Sequence, residues 1–316
     1  MDERRAHLLV ICGPTATGKT DLAITLARHV GGEIVNADSR QVYRYMHIGT
    51  AKPTPAQRAA APHHLLDVVD PDEPFTLADY LERAHNAIAG ILTRGGLPIV
   101  GGGTGLYVRA LAQGFAVPRV PPDPRLRADL EALAEAEGSP ALVARLRRSD
   151  PHTAATIDAS NPRRLIRAIE VAEAMGVSFA AQRMARPRYD ALVLGLTADR
   201  TLLYERADRR VDAMMAAGFL DEVAALYARG YRPDLPALTG LGYRQLGEHL
   251  RGVRTLDDAV QATKLATHGF IRRQFTWFRR EPGIHWLDIA HDDVVAQATV
   301  QAEQWLAVPV AAGRAV

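Results

Sequence analysis

The run Gly13-Pro14-Thr15-Ala16-Thr17-Gly18-Lys19-Thr20 constrains the fold of this chain more than any other feature. It fills every fixed position of the phosphate-binding pattern G-x-x-x-x-G-K-[ST] and is called the P-loop below. A short apolar run at 8–12 precedes it, and apolar residues follow at helical spacing, namely Leu22, Ala23, Leu26, Ala27 and Val30. The pattern therefore predicts a buried strand, a phosphate-binding turn and a helix, which is how an α/β fold begins.

The residue types of the P-loop indicate its ligand. Glycines let backbone amides approach a phosphate closely, and the N-terminus of the following helix favours negative charge. Lys19 is expected to neutralise phosphate charge, and the Thr20 hydroxyl is expected to ligate Mg²⁺. We therefore expect a bound diphosphate or polyphosphate with Mg²⁺ as cofactor, although the loop alone does not identify the phosphate compound.

Composition narrows the class of protein. The 316 residues are 47% hydrophobic and 23% charged, which is ordinary for a globular protein with a sizeable core. Cys12 is the single cysteine, so a disulfide framework and a cysteine zinc site are excluded. We see no apolar stretch long enough to cross a membrane and expect a cytoplasmic monomer. The net charge of +2 argues neither for nor against nucleic acid, so the distribution of arginine has to decide.

The order of predicted elements indicates a parallel sheet. Strands predicted at 33–36, 64–69, 97–101 and 192–197 alternate with helical patterns, as in sheets with crossover helices. Four dipeptides in the middle of the chain place a capping residue before proline and predict four helix starts: Asp123-Pro124, Ser139-Pro140, Asp150-Pro151 and Asn161-Pro162. We expect an α/β core at 1–117, an all-helical insertion domain at 118–190, and completion of the core at 191–316. Segment 200–306 is predicted to be largely helical.

Polar clusters follow two of the predicted strands. The predicted strand at 33–36 continues into 37–43, which contains Asp38 and Ser39. The predicted strand at 97–101 continues into a glycine run that contains Thr104. Ligands of open α/β sheets bind at the carboxyl edge of the strands, so these side chains are expected beside the P-loop. The alternatives are that Asp38 and Ser39 only cap a turn, and that the glycines only form a tight strand-to-helix connection.

Arginines concentrate in two helical patterns. Arg163 and Arg167 share one face at i, i+4, although solvated arginines on a helix are commonplace. The segment 272–280 mixes arginines with Phe275, Trp277 and Phe278 over about two turns. The two phenylalanines are predicted to be core residues, whereas Trp277 and the arginines suit an unstacked base and a nucleic-acid backbone. His63-His64 is expected to pack or to contact a turn, since other metal-ligand spacings are missing.

The ordered set of motifs closely resembles the tRNA dimethylallyltransferase family over nearly the whole chain. The matching motifs are the P-loop, 36–43, 48–53, 63–67, 101–107, Arg163-Arg164-Leu165, Gly242-Tyr243-Arg244-Gln245 and 273–278. The resemblance implies a P-loop NTPase-like parallel sheet flanked by helices. It also implies that the P-loop holds the diphosphate of dimethylallyl diphosphate, although such loops are usually described as ATP sites, and that no ATP is hydrolysed.

The resemblance further implies a reaction and roles for its residues. The family transfers the dimethylallyl group to the exocyclic N6 amine of the adenosine just 3′ of the anticodon, in tRNAs that read codons beginning with U. Asp38 is implied as the general base and Thr104 as a contact of the adenosine that assists it. Lys19 and Arg210 are implied to stabilise the leaving diphosphate. Since the base must leave its stack, 38–41 are expected to line the channel that holds it.

The resemblance implies a long tRNA contact surface, in which the helical insertion grips the anticodon stem-loop. The implied contact residues are Asp38, Ser39, Arg40, Gln41, Thr104, Arg127, Arg163, Arg164, Leu165, Ile166, Arg167, Gly242, Tyr243, Arg244, Arg272, Arg273, Gln274, Trp277 and Arg279. The chain departs from the family at His268-Gly269, where members commonly carry arginine and glutamine.

Three other functions fit part of the sequence. A P-loop small-molecule kinase would use Asp38 to activate a hydroxyl, but it leaves the arginine and tryptophan segment unexplained. Relatives that prenylate free adenine nucleotides would not need the arginines of the helical insertion. A non-catalytic RNA-binding protein would not need Asp38, Thr104 and the P-loop at one edge of one sheet. The tRNA prenyltransferase is therefore the reading that uses all the motifs.

Overall fold

The computed structural model describes residues 5–115, 117–118, 120–176, 178–180, 187–290 and 293–308. Within these ranges six strands form one sheet of the order β3-β2-β4-β1-β5-β6, in which every pairing is parallel. The strands are β1 (Ala6–Cys12), β2 (Gly32–Asn36), β3 (His63–His64), β4 (Leu97–Gly101), β5 (Tyr189–Thr197) and β6 (Ile284–Asp288). The predicted α/β class with a parallel sheet is confirmed.

Helices surround the sheet or form a compact group of their own. The first four are α1 (Lys19–Val30), α2 (Pro55–Ala60), α3 (Leu77–Thr93) and α4 (Gly105–Gln113). The middle four are α5 (Pro124–Glu137), α6 (Ser139–Ser149), α7 (Pro151–Thr156) and α8 (Pro162–Met175). The last five are α9 (Arg200–Ala216), α10 (Phe219–Ala228), α11 (Tyr243–Leu250), α12 (Leu256–Phe278) and α13 (Val294–Ala307). The chain divides into an α/β unit of Met1–Ala112 with Arg188–Val316, and a helical unit of Gln113–Pro187.

The core of the α/β unit is built on its central strand. Residues 8–12 of β1 are fully buried, because β4 and β5 pair with it on either side and helices cover the sheet. The apolar face predicted for α1 packs there, with Leu22 and Leu26 in one cluster with Leu9 and Ile11. Each such side chain contributes about 1.5–3 kcal/mol by leaving water. The buried strand and amphipathic helix on either side of the P-loop are thus as predicted.

The helical unit has its own core and the four helix starts that were predicted. The side chains of Asp123, Asp150 and Asn161 each accept a hydrogen bond from a backbone N–H of the first turn that follows. The helix α6 begins at Ser139 itself, and its cap is Gly138 instead. The cluster Leu130, Leu142, Leu146, Leu165, Ile166 and Ile169 fills the space between the four helices.

One strand prediction was wrong, and one strand was not predicted within a segment that is largely helical as expected. The strand expected at 64–69 is only His63–His64, because Leu65 and Asp67 adopt left-handed φ angles of 63° and 55° that cannot continue a strand. Residue Val69 forms only an isolated bridge to Tyr43. The strand β6 lies inside the segment expected to be helical, and its exposed edge residues give no alternating pattern.

Candidate active site

The P-loop joins β1 to α1 in a backbone path that needs glycine. Gly13 has φ 130°, and a Cβ there would lie 2.3 Å from the Leu196 carbonyl oxygen. Gly18 is left-handed at φ 86° and caps α1 without a side chain. Inside the loop, the Thr17 hydroxyl and the Lys19 amine both donate to the Pro14 carbonyl oxygen, at 2.9 and 2.6 Å. The first helical amides therefore face a turn that is already organised.

The charge of Lys19 depends on its surroundings. Burial and the neighbouring Arg210 guanidinium lower the pKa of the Lys19 amine to about 8, while the Asp38 carboxylate opposes this shift. Burial raises the pKa of the Cys12 thiol to about 12, so this cysteine stays protonated. The Arg210 guanidinium lies 3.4 Å from the Thr15 hydroxyl, and it brings a second cation to the mouth of the P-loop. The site is therefore suited to a polyanion.

Asp38 lies in a turn that several hydrogen bonds fix. Its backbone N–H donates to Asn36 Oδ1 at 3.0 Å, and one of its carboxylate oxygens accepts from the Arg40 N–H at 2.8 Å. The Thr104 hydroxyl oxygen accepts from the Ser39 N–H at 2.9 Å, so the ends of β2 and β4 are tied together. Asp38 and Thr104 are thus brought together, as the sequence predicts.

The glycine run after β4 allows close approach of backbones. A Cβ on Gly102 would lie 2.2 Å from the Ala37 carbonyl oxygen, in the turn that leads to Asp38. The side-chain amide of Gln274, on α12, donates to the Gly103 carbonyl oxygen at 3.0 Å and accepts from the Thr15 N–H at 2.9 Å. Gln274 therefore bridges the P-loop and the glycine run from a position that is 5% exposed.

Two cavities meet at this edge of the sheet. The first, of about 970 Å³, is lined by the P-loop residues 15–16 and 18–20 and is called the P-loop cavity. The second, of about 520 Å³, is lined by Thr104, Arg273 and Trp277 and is called the Trp277 cavity. Both are lined by Asp38, Arg210, Gln274, Met214 and Phe270. A carboxylate and a guanidinium thus stand with two apolar side chains where the cavities join.

Trp277 is packed at the edge of its cavity. Its ring covers Gly105, where a Cβ would lie 2.1 Å from the indole Cδ1. The Arg109 guanidinium lies over the same ring, 4.7 Å from its centroid, and is held by Glu281. The indole N–H is buried without a hydrogen-bond partner. The arginines of this region that were expected to contact RNA, Arg244, Arg272, Arg273 and Arg279, are exposed.

Other residues expected to contact RNA have partners within the protein. The Arg40 guanidinium donates to the carbonyl oxygens of Pro236 and Ala237, in a 3-10 turn at Pro236–Thr239. Gln41 donates to the carbonyl oxygens of Thr50 and Ala51. Gly242 caps α11, and the Tyr243 ring that follows is 1% exposed. The Tyr243 ring is therefore packed in the protein interior.

Two arginines of the helical unit pair with one buried carboxylate. Glu170 is 1% exposed and pairs with Arg127 at 2.7 Å and with Arg167 at 3.0 Å. Leu165 and Ile166 are buried in the core of this unit, so their side chains pack between helices and do not face solvent. Arg163 is exposed and Arg164 is half-buried.

The site offers few side chains that could bind a metal ion. Among the residues that the structure describes, no group of three or more His, Cys, Asp or Glu side chains could hold one. Thr20 lines the P-loop cavity at the first turn of α1. Mg²⁺ is commonly bound by few protein ligands together with substrate phosphates, so this set fits Mg²⁺ only when a phosphate compound completes it.

Sequence reasoning missed some residues that shape the site. Asn36 holds the Asp38 turn from both sides, since its amide also donates to the carbonyl oxygens of Asp38 and Leu65. A polar residue at the end of an apolar strand is the signal that could have found it. Met214 and Phe270 line both cavities, but nothing in the sequence distinguishes them from other apolar residues of helices.

Comparisons with known proteins identify the family of this chain. Residues 41–281 match the IPP transferase family, and residues 6–67 match the isopentenyl transferase family. The chain is 52% identical to the tRNA dimethylallyltransferase of Roseiflexus sp. (strain RS-1), over 95% of this chain and 98% of that protein. It is 47% identical to the tRNA dimethylallyltransferase of Symbiobacterium thermophilum, over 92% of each.

Solved structures give the same assignment. The fold resembles a tRNA isopentenylpyrophosphate transferase from Bacillus halodurans with a TM-score of 0.70 and 38% identity, over 96% of each chain. It also resembles a eukaryotic dimethylallyltransferase acting on tRNA, with a TM-score of 0.76 and 26% identity, over 96% of this chain and 78% of that one. None of the helices that the structure describes has the length and apolar character required to cross a bilayer. The family match, the curated relatives and the fold together establish that this chain belongs to the IPP transferase family.

Proposed function

We propose that this protein is an enzyme that transfers the dimethylallyl group of dimethylallyl diphosphate to an adenosine of tRNA. The acceptor is the exocyclic N6 amine of the adenosine 3′-adjacent to the anticodon, in tRNAs that read codons beginning with U, and diphosphate is released. The observation that carries this proposal is that Asp38 lines both the P-loop cavity and the Trp277 cavity. A diphosphate in the first and a base in the second would meet at this carboxylate.

Asp38 supplies the proton acceptor for the transfer. An adenine amine is a weak nucleophile because its lone pair is delocalised into the ring, so removal of its proton as the bond forms assists the reaction. The N6–C1 bond forms, the C1–O bond to diphosphate breaks, and the proton of N6 passes to the Asp38 carboxylate. The hydrogen bonds of Asn36 and Arg40 hold the turn in place, and Thr104 on the neighbouring strand end fixes the adjacent Ser39.

The P-loop stabilises the charge that accumulates on the leaving diphosphate. Loop amides, the Lys19 ammonium and the Arg210 guanidinium surround this cavity, and fixed donors of this kind act strongly where water is excluded. Mg²⁺, held by Thr20 and the phosphate oxygens, would add further positive charge. Since the Lys19 amine donates to the Pro14 carbonyl oxygen here, it would turn from that oxygen to the phosphate on binding.

The Trp277 cavity receives the base in this proposal. A target base must leave its stack before its amine is accessible, and an aromatic wall with nearby cations suits an extruded base and its phosphates. Trp277 and Arg273 line the cavity, Arg272 is exposed on the same helix, and Arg279 is exposed at its C-terminal cap. Arg127, Arg163 and Arg167 of the helical unit are proposed to contact the anticodon stem-loop through its phosphates.

The test uses purified protein, Mg²⁺, dimethylallyl diphosphate and unmodified tRNA. We expect diphosphate release only when tRNA is present, and mass spectrometry of the tRNA nucleosides should show one N6-dimethylallyl adenosine. In Asp38→Asn, which keeps the size of the side chain, kcat should fall by about 10²- to 10⁴-fold while tRNA affinity stays nearly constant. The exposed Asp21→Asn serves as the control carboxylate of the same cavity. Rapid ATP hydrolysis without tRNA would contradict the proposal and favour a kinase.

A further inference from the structure

Residues 47–51 form a wall that the two cavities share, called the 47–51 wall below. Thr50 and Ala51 line both cavities, His47 and Ile48 line the P-loop cavity, and Gly49 lines the Trp277 cavity. A displacement of this wall would therefore change the space for both substrates at once.

Glu222, on α10, holds the wall through consecutive backbone amides. Its Oε2 accepts from the N–H groups of His47 and Ile48, at 2.8 and 2.7 Å. Its Oε1 accepts from the N–H of Gly49 at 3.1 Å and from the Tyr243 hydroxyl at 2.7 Å. One carboxylate thus receives four hydrogen bonds from two separate parts of the chain.

Only a carboxylate fits this arrangement well. It has two oxygens with about four acceptor positions, whereas a glutamine amide offers one oxygen and presents an N–H₂ group to other donors. Burial and the nearby Glu222 carboxylate raise the pKa of Tyr243 well above its ordinary value, so the phenol remains a donor. Four donors and one anion therefore complement each other.

The wall has a strained backbone, which persists only while its surroundings hold it in place. Ala51 has a left-handed φ of 49°, which is unfavourable for a residue with a Cβ. A Cβ at Gly49 would lie 2.2 Å from the Phe219 ring and 2.6 Å from the Tyr243 ring. Gln41 holds the other end of the wall by donating to the carbonyl oxygens of Thr50 and Ala51. The wall is strained and clamped from both sides.

We propose that Glu222 is a positioning residue for the transfer reaction, because its carboxylate fixes the wall against which both substrates lie. The expected effect on catalysis rests on the proposed function. The expected effect on the wall rests only on the hydrogen bonds of Glu222. Glu222 itself lines neither cavity, so it acts through the wall and not on the substrates.

The test compares three variants of the full chain. Glu222→Gln removes the anion, Tyr243→Phe removes one of its four donors, and Asp221→Asn changes charge equally at the exposed neighbouring position of α10. Amide hydrogen exchange of 47–49 is measured first, since it needs no activity. We expect exchange to accelerate by about tenfold or more in Glu222→Gln, by less in Tyr243→Phe, and to stay unchanged in Asp221→Asn.

Kinetics then separate positioning from general stability. In Glu222→Gln we expect kcat/KM to fall by about tenfold or more for both dimethylallyl diphosphate and tRNA, under conditions where the variant remains folded. A lowered Tm with unchanged kcat/KM, or with exchange at 47–49 equal to that of Asp221→Asn, would overturn the inference. If Glu222→Gln does not fold, hydrogen exchange at 47–49 and kcat/KM for dimethylallyl diphosphate in Tyr243→Phe decide it, because Tyr243 lines the Trp277 cavity and not the P-loop cavity. Failure of the proposed function would instead appear as no transfer by the unsubstituted protein, and hydrogen exchange would still test the anchor.

Discussion

Lys19 gives the site a dependence on pH that can be measured by binding alone. Its pKa is lowered to about 8 by burial and by Arg210, so the amine is charged below this pH and becomes neutral above it. A diphosphate binds the charged form better. Affinity for inorganic diphosphate should therefore be greatest below about pH 8 and weaken by up to about tenfold per unit above it.

Calorimetric titration from about pH 6.5 to about pH 9.5 checks this expectation. Lys19→Arg is the matched variant, because a guanidinium stays charged throughout that range. Its affinity should change only with the ionisation of diphosphate itself in the same window, so the difference between the two profiles isolates the contribution of Lys19. Identical profiles in the two proteins would show that Lys19 does not carry the charge that binds the phosphate.

Single residues were predictable from the sequence where a motif demands one residue type. Gly13, Gly18 and Lys19 follow from the phosphate-binding pattern, and the structure gives the two glycines the positive φ angles that explain them. Glu222 was not predictable, since it is one of two adjacent acidic residues in the first turn of a helix, where acidic residues are common. Its partners are backbone amides about 175 positions away, which no local pattern records.

Among the helices, α12 connects the P-loop to the glycine run that follows β4. Gln274 of this helix bridges the Thr15 N–H and the Gly103 carbonyl oxygen. In Gln274→Leu both groups lose their partner, at a cost of about 1–3 kcal/mol each. We expect a weakened affinity for diphosphate, measured by calorimetry, with tRNA affinity little changed.

A control on the same helix is Thr276→Ala, whose side chain is exposed. It should leave diphosphate affinity as it was. The family resemblance implies that Gln274 contacts tRNA. Weakened tRNA binding with diphosphate binding intact would support that role instead.

The helical unit depends on the charged cluster at Glu170. Truncation of this buried carboxylate leaves Arg127 and Arg167 without their anion, so Glu170→Ala should lower the free energy of unfolding by about 3–5 kcal/mol. Glu173, whose pair with Arg145 is exposed on the same helix, provides the comparison, and Glu173→Ala should cost about 1 kcal/mol or less. Urea denaturation followed by circular dichroism measures both, and equal effects would contradict the distinction.

Helices were predictable where the residues at their N-terminus favour a helix start. Three helices of the helical unit, α5, α7 and α8, begin as predicted because a capping residue before proline is a local cause of a helix start, whereas α6 is capped by Gly138. The strand β6 and the shortened β3 depend on pairing and on left-handed residues at Leu65 and Asp67, which are set by tertiary contacts. His268, where the chain departs from its family, contacts Asp208 at 2.8 Å and stacks on Tyr204, so it joins α12 to α9.

For the whole molecule, the small net charge makes the placement of arginine decisive. The formal charge is only +2, so attraction to a polyanion has to come from local clusters. Arg273→Ala removes one exposed cation beside the Trp277 cavity and should reduce the slope of log K against log salt for tRNA by about one. Filter binding at several salt concentrations measures this slope. Arg232→Ala, at an exposed arginine that pairs with Asp234, should leave it unchanged.

The order of the chain also has a consequence for how the protein acquires its fold during synthesis. The central strand β1 pairs with β5, which is made only after the whole helical unit has been translated. Until then one edge of a largely apolar strand has no partner in the nascent chain, and such edges are prone to aggregate. The helical unit has local contacts and its own core, so it can fold before β5 has been synthesised. The pairing of β1 with β5 is therefore expected to come late, after the helical unit has been synthesised.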